Sequence, residues 1–499
     1  MSKEEVDSYE KPKGYEINSE LTADGSVLKY QVKADWIVLQ KNEKPVAEMF
    51  HVAYLAEDSN VKRPVTFVFN GGPGAASAYL HMGALGPQRV EFSDKGVPLA
   101  PPAKVVQNDE TWLSFTDLVF IDPIGSGFSR IIKDLSQKSK DEDKDDKASD
   151  SVEAVEKDEF WALNRDLESL GEFMSRFLSV HKLWDRPIFI AGESYGGYRA
   201  AKFSRYLQED VGIGLNGAIM ISPALELSLL DSSDYDNLML SDAFPSLVAT
   251  ALYHQRSSTK INPDETLKHL QPGEDFAMGD YLSLNSKGTL IDPSKRQQIL
   301  NEISALTGLS QDYVKRCHGR IDPFLFAREL MRDKDVYCGI YDTSLTSSDP
   351  YPDRPQFEGA DPTLAGIDRV FTRGINYQLR HTLKVDIERE YRLLSYEAFV
   401  KWRIDEERHV FETHLGATDD LRYAMALNPH MNSFIAHGAF DLVTPYFSSK
   451  RLTHLMKLKE DQQKRLDFEV YFGGHMFYAW KSSRVKFLED IKKFYKKSL

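Results

Sequence analysis

The chain has 499 residues, more than one typical hydrophobic core holds, so a core with a large insertion or two domains is expected. Its 76 acidic and 62 basic residues give a net charge of −14, which argues against nucleic acid and anionic membrane surfaces as partners. Only two cysteines occur, Cys317 and Cys338; they exclude a disulfide scaffold, leave a single pairing open and suit a reducing compartment. With no Cys/His cluster at ligand spacing, no metal is expected, and no cofactor.

Residues 1–25 are polar and read as loosely held and mobile. From Leu28, apolar residues alternate through Tyr30, Val32, Ala34, Trp36 and Val38, the pattern of a half-buried strand. After the turn at Asn42 to Pro45, Val46 to Leu55 returns as a second strand, giving an antiparallel hairpin at a sheet edge. Val65 to Phe69 is continuously apolar, as an interior parallel strand would be, and runs into Asn70-Gly71-Gly72-Pro73-Gly74. A phosphate loop would need a Gly-Lys-Ser/Thr ending, which is missing, so this cluster reads as a backbone arm offering an N–H donor.

Asp117 to Asp122 is another buried strand, followed by Pro123 to Ser129. Residues 133–158 lose all hydrophobic periodicity and read as a mobile, solvated loop. A helix is expected from Glu159, with Phe160, Leu163, Leu167, Leu170, Phe173, Met174 and Phe177 on one face. It returns the chain to Ile188 to Ala191 and then Gly192-Glu193-Ser194-Tyr195-Gly196. A G-x-S-x-G sequence between a buried strand and a helix is a nucleophile elbow, which exposes the serine hydroxyl above the sheet.

Asn216 to Pro223 is the next core strand. From Ala224 to Pro429 the patterns are helical or loop-like, which predicts an inserted, mostly helical cap. The sheet resumes at Asn432 to His437 and again at Leu466 to Phe472, and a C-terminal helix from Trp480 docks on it. The predicted fold is therefore α/β: an α/β-hydrolase with a mostly parallel sheet, an N-terminal antiparallel edge hairpin, a core of 26–223 and 430–499, and a cap of 224–429. Asp441 and His475 each fall just past a strand end, and the order Ser, Asp, His is that of this fold. The chemistry needs all three, because a serine hydroxyl is a poor nucleophile until an imidazole, held in one tautomer by a carboxylate, accepts its proton. His81 and His437 read as packing or hydrogen-bonding residues.

These segments resemble the serine carboxypeptidase family. The match is carried by Asn70 to Gly74, Pro123-x-Gly125-x-Gly127-Phe128-Ser129, Gly192 to Gly197, His437-Gly438-x-x-Asp441 and Gly473-Gly474-His475-Met476. The resemblance implies release of C-terminal amino acids from peptides with a free C-terminus through an acyl-enzyme. Ser194 would be nucleophile, His475 general base and acid, and Asp441 its orienting carboxylate. It further implies an oxyanion hole from the N–H groups of Gly72 and Tyr195, and binding of the substrate carboxylate by Asn70, Gly71 and Glu193. A carboxylic acid binds a carboxylate only when protonated, so such a site favours acidic pH.

The chain departs from the family's pattern at three places. Ala84 stands where the family has a second glutamate beside Glu193's counterpart, Ala75 replaces a cysteine, and Arg130 a frequent tyrosine. Arg130 is a candidate for altered carboxylate recognition. Two other readings remain open: an acyltransferase or small-ester hydrolase with the same triad, and a non-catalytic binding protein on this scaffold. The N-terminus shows no apolar export-signal segment and no stretch is long enough to span a membrane, so a cytoplasmic setting is expected, although the resemblance leaves export open.

Overall fold

Alternating apolar side chains build the first half of the sheet, and continuous apolar runs build the second. The computed structural model describes residues 9–23, 25–57, 63–132, 159–230, 233, 235–355, 357–404 and 415–499. In chain order the strands are β1 (Tyr15–Ala23), β2 (Ser26–Lys41), β3 (Lys44–Ala56), β4 (Val65–Phe69), β5 (Gln88–Val90), β6 (Val105–Gln107), β7 (Asp117–Ile121), β8 (Arg130–Ile131), β9 (Ile188–Glu193), β10 (Gly217–Ile221), β11 (Val336–Cys338), β12 (Thr346–Ser348), β13 (Asn432–Gly438) and β14 (Leu466–Tyr471). The main sheet runs β1-β2-β3-β7-β4-β9-β10-β13-β14, with β8 on β3; β5 with β6 and β11 with β12 form two separate ribbons.

β1, β2, β3 and β7 pair antiparallel, whereas β7-β4-β9-β10-β13-β14 is parallel throughout. Every residue of β4, β7, β9, β10 and β13 is buried, because helices cover both faces. Alternation divides each strand between two cores. Phe67, Val119 and Ile190 face the helices Leu163–His181 and Tyr195–Tyr206, while Val68, Phe120 and Phe189 share the opposite core with Phe494 and Tyr495 of the helix Lys481–Ser498. This is the α/β-hydrolase architecture, its parallel sheet flanked by helices and its antiparallel strands at one edge.

One expectation is corrected. Residues 15–23, read as loosely held, form β1 and pair along β2 from Tyr15↔Ala34 to Ala23↔Ser26. Leu21 is buried, and Tyr15 and Ile17 pack on the core. Glu16, Asn18 and Glu20 alternate with these residues, so an edge strand with one wet face passes for a polar tail. The expected mobile loop at 133–158 and the first eight residues lie outside the described residues.

The segment between β10 and β13 is mostly helical among its described residues, and its parts pack differently. Phe244, Leu247, Tyr281, Ile299 and Phe326 gather in a third core that also takes in Tyr446 and Phe447. By contrast, Ile367, Phe371 and Ile375 of the helix Pro362–Tyr377 join the core against β1 to β3, and Leu421 and Ala424 join the one containing the helix Tyr195–Tyr206. Cys317 and Cys338 are both free. Among the described residues, no helix is long and apolar enough to cross a membrane, and no group of His, Cys, Asp and Glu side chains could hold a metal ion.

Candidate active site

The elbow follows from close packing of backbone around one strained residue. Ser194 sits at φ 61° and ψ −124°, a conformation costing a non-glycine residue about 1–3 kcal/mol. Neighbouring backbone holds it there: Ser194 N donates to Ile221 O (2.9 Å), and Gly197 N and Tyr198 N donate to Ser194 O (2.8 and 3.2 Å). A Cβ on Gly192 would lie 2.0 Å from Gly196 O, so only glycine fits there. Glu193 and Tyr195 are buried, yet Ser194 remains partly open to solvent.

The Asn70-Gly71-Gly72 arm lies directly on the first turn of the elbow helix. A Cβ on Gly71 would come within 2.5 Å of Tyr195 N and 2.6 Å of Gly196 N. Gly72 turns the arm at φ +92°, which favours glycine. Arg199, fully buried, locks arm to helix: its Nη1 donates to Asn70 O (2.7 Å) and its Nε to Asp166 Oδ2 (2.6 Å). Opening amides of a helix have no partner within it, which leaves that of Tyr195 available to a ligand.

Asp441 follows β13 and His475 follows β14, and the two meet. His475 Nδ1 donates to Asp441 Oδ2 at 2.7 Å, which fixes the tautomer and leaves the Nε2 lone pair as base. Asp441 Oδ1 accepts from Val443 N and Thr444 N (2.8 and 3.0 Å). Thr444 Oγ1 stands 2.7 Å from Asp441 Oδ2, 3.0 Å from Ser222 O and 3.1 Å from His475 Nδ1. Ser222 Oγ donates to His475 O (2.8 Å) and His475 N to Tyr341 O (2.6 Å), anchoring the loop to β10 and to the inserted segment. Burial disfavours the imidazolium, but the charge and hydrogen bond of Asp441, joined by Glu193, raise the His475 pKa above the ordinary value. Among the described residues Ser194 Oγ makes no hydrogen bond to the imidazole; such contacts often tighten only around a substrate.

Beside Ser194 lies a second polar cluster. Asn70 Nδ2 donates to Glu193 Oε2, and Asn70 Oδ1 accepts from Leu80 N (3.1 Å), so the amide's orientation is set from both ends. Burial pushes Glu193 up to about 7, against the opposing pull of His475, Tyr478 and Asn70, while Asp441 adds to the rise. Near neutral pH this side chain therefore exists both as acid and as carboxylate.

Every residue expected at the site thus falls in one neighbourhood: Ser194, Tyr195 and Glu193 at the elbow, Asn70, Gly71 and Gly72 on the arm, and Asp441 and His475 on the loops after β13 and β14. Arg130 is different. Its Nη1 donates to Gly127 O (2.8 Å) and Ser129 O (2.7 Å) and its Nη2 to Glu390 O (2.7 Å), so it ties together backbone segments. His81 is stacked on Phe120 and bonded to Tyr54 Oη (2.7 Å), and burial lowers its pKa to about 3. His437 is buried and lowered to about 4 by burial, ahead of its charged neighbours. Sequence reasoning missed Thr444, Arg199 and Ser222. Only Thr444 carried a signal, a hydroxyl three residues past an aspartate, which is Asx-turn spacing.

Residues 27–264 match the family model "Serine carboxypeptidase". This stretch of the chain is therefore similar to the serine carboxypeptidase family. The chain is 26% identical over 209 residues to "Serine carboxypeptidase S10 family member 1" of Dictyostelium discoideum, covering 40% of this chain and 43% of that protein. It is 34% identical over 158 residues to "Pheromone-processing carboxypeptidase KEX1" of Saccharomyces cerevisiae, covering 30% of this chain and 18% of that protein. The matches thus span less than half the length of these relatives. A crystal structure of KEX1(delta)p, a prohormone-processing carboxypeptidase from Saccharomyces cerevisiae, superposes over 94% of this chain and 91% of its own with a TM-score of 0.56 at 17% identity, a likeness of fold.

Proposed function

We propose that this protein is a serine-type carboxypeptidase that releases single amino acids from peptides with a free C-terminus. One observation carries the reading: Glu193, which immediately precedes the elbow serine, is a buried acid able to hold its proton near neutrality. A protonated carboxyl beside the Asn70 amide suits a substrate carboxylate, which an ionised Glu193 would repel. The inserted segment 224–429 acts as the cap that shapes access. The free thiols of Cys317 and Cys338 suit a reducing setting such as the cytoplasm.

In this mechanism the terminal carboxylate rests on Asn70, the Gly71 N–H and protonated Glu193, which sets the last peptide bond over Ser194. Ser194 Oγ attacks the carbonyl carbon as its proton passes to His475 Nε2, and Asp441 stabilises the imidazolium. The oxyanion is met by the N–H groups of Gly72 and Tyr195. The C–N bond breaks, the imidazolium protonates the departing amine, and water then hydrolyses the acyl-enzyme along the same path.

The test compares N-blocked dipeptides with free and amidated C-termini from pH 4 to 8, with Ser194→Ala as control. Cleavage of the free acid alone, reduced about 10⁵-fold or more in the variant, is expected. Equal cleavage of acid and amide would sink the carboxypeptidase reading in favour of an amidase or esterase.

A further inference from the structure

Glu193 lacks the second glutamate that the family resemblance leads one to expect, and the place of that residue, Ala84, lies in the helical turn His81–Leu85. The turn has a second feature: a Cβ on its neighbour Gly83 would lie 2.6 Å from Tyr478 Cε2. The glycine therefore admits the tyrosine ring where any side chain would exclude it. Tyr478 comes from the turn Phe477–Ala479, three residues beyond His475, and its backbone is fixed by Arg484 Nη1, which donates to Tyr478 O (3.1 Å). Among the described residues, Tyr478 Oη and Glu193 Oε1 are both buried without a hydrogen-bond partner. Each of the two side chains bears on the titration of the other. Asn70 already occupies the other oxygen of the carboxyl.

We propose that Tyr478 is a positioning residue for Glu193, giving its hydroxyl hydrogen to Oε1 in the place that the family fills with a second carboxylate. The inference rests on the carboxylate-binding reading of Glu193. Its consequence is chemical. Two carboxyls sharing a proton repel once it is lost, whereas a tyrosine is a neutral donor throughout the working range, because burial holds its own proton well beyond that range. Glu193 is then a single acid with a single midpoint. The groups bearing on that midpoint are Tyr478 and His475 after β14, Asp441 after β13, Asn70 after β4, and Tyr79 on the turn that follows the arm. A donor to the ionised carboxylate favours ionisation, so Tyr478 keeps the midpoint from climbing higher.

The experiment follows KM for an N-blocked dipeptide acid from pH 5 to 9, beside the methyl ester of the same dipeptide, which has no free carboxylate. Glu193→Gln tests the underlying reading: the rise of KM with pH flattens, and if the rise persists unchanged the carboxylate-binding role itself is wrong. Where Glu193→Gln flattens the profile, Tyr478→Phe is expected to move the midpoint of the wild-type rise upward by about one pH unit, with ester turnover changed less than about twofold. Gly83→Ala, which displaces the ring but keeps the hydroxyl, moves it in the same direction. A midpoint that stays in place or falls in Tyr478→Phe, while Glu193→Gln flattens the profile, overturns the proposal and leaves the carboxylate-binding role standing.

Discussion

Two polar pairs flank Ser194, and burial acts on them in opposite ways. In His475–Asp441 each buried group has charged or hydrogen-bonding partners: the imidazole has a carboxylate at 2.7 Å, and the carboxylate has two backbone amides and a threonine hydroxyl. There the burial penalty on the imidazolium is more than offset, and the pKa rises. In Glu193–Asn70 the acid has one amide donor on Oε2 and, among the described residues, no hydrogen-bond partner on Oε1, so burial dominates and the proton is retained to about 7. Burial depth is the same in both. What differs is how completely the charged form is met, and that separates a base poised to take a proton from an acid poised to keep one.

The comparison breaks most visibly at Asp441. Asp441→Asn keeps the shape but presents an NH₂ group or a weaker acceptor to Nδ1, disturbing the tautomer; kcat is expected to fall about 10⁴-fold, while KM for the free acid changes little. A fall under tenfold would mean that the imidazole is oriented by other groups. Glu193→Gln works on the opposite pair. In the folded protein the Glu193 pKa is raised from 4.5 to about 7, so its neutral form adds stability below about 4.5, and this stability is lost as pH rises through about 7. Glutamine removes that loss. The variant is expected to be more stable than wild type at pH 8, by up to about 3 kcal/mol, and no more stable at pH 4. Thermal denaturation at the two pH values checks this, and equal shifts at both would remove the titration argument. Thr444→Val is the smallest change, removing a hydroxyl that touches both Asp441 and His475. A loss of about tenfold in kcat is expected, the size of one hydrogen bond to a charged group. No loss would assign the orientation of the imidazole to Asp441 and its backbone donors alone.

Both pairs also set limits on the pH profile. On the proposed mechanism His475 must be neutral to act as base, so activity is expected to fall as pH drops below its raised pKa, and binding of the free acid is expected to weaken as Glu193 ionises above about 7.

Much of this architecture was legible in the chain. Continuous apolar runs such as Val65 to Phe69 and Ile188 to Ala191 admit few places other than a sheet covered on both faces. Gly-Glu-Ser-Tyr-Gly after such a run fixes the elbow, because its turn tolerates almost no side chain two residues either side of the serine. The strand ends at Asp441 and His475 followed from the same reading. Local pattern alone could not reveal partnerships between distant residues. β1 passed for a polar tail because one of its faces is wet. Arg130, a candidate ligand in sequence, is committed to three backbone carbonyls that only the folded chain brings near. Arg199 and Asp166 meet from two helices, and the Tyr478 ring, from the turn after His475, packs against Gly83. Sequence determined which residues have the chemistry and where the strands deliver them. Tertiary structure decided which buried charges are met and which are left short, because that balance depends on groups far apart in the chain.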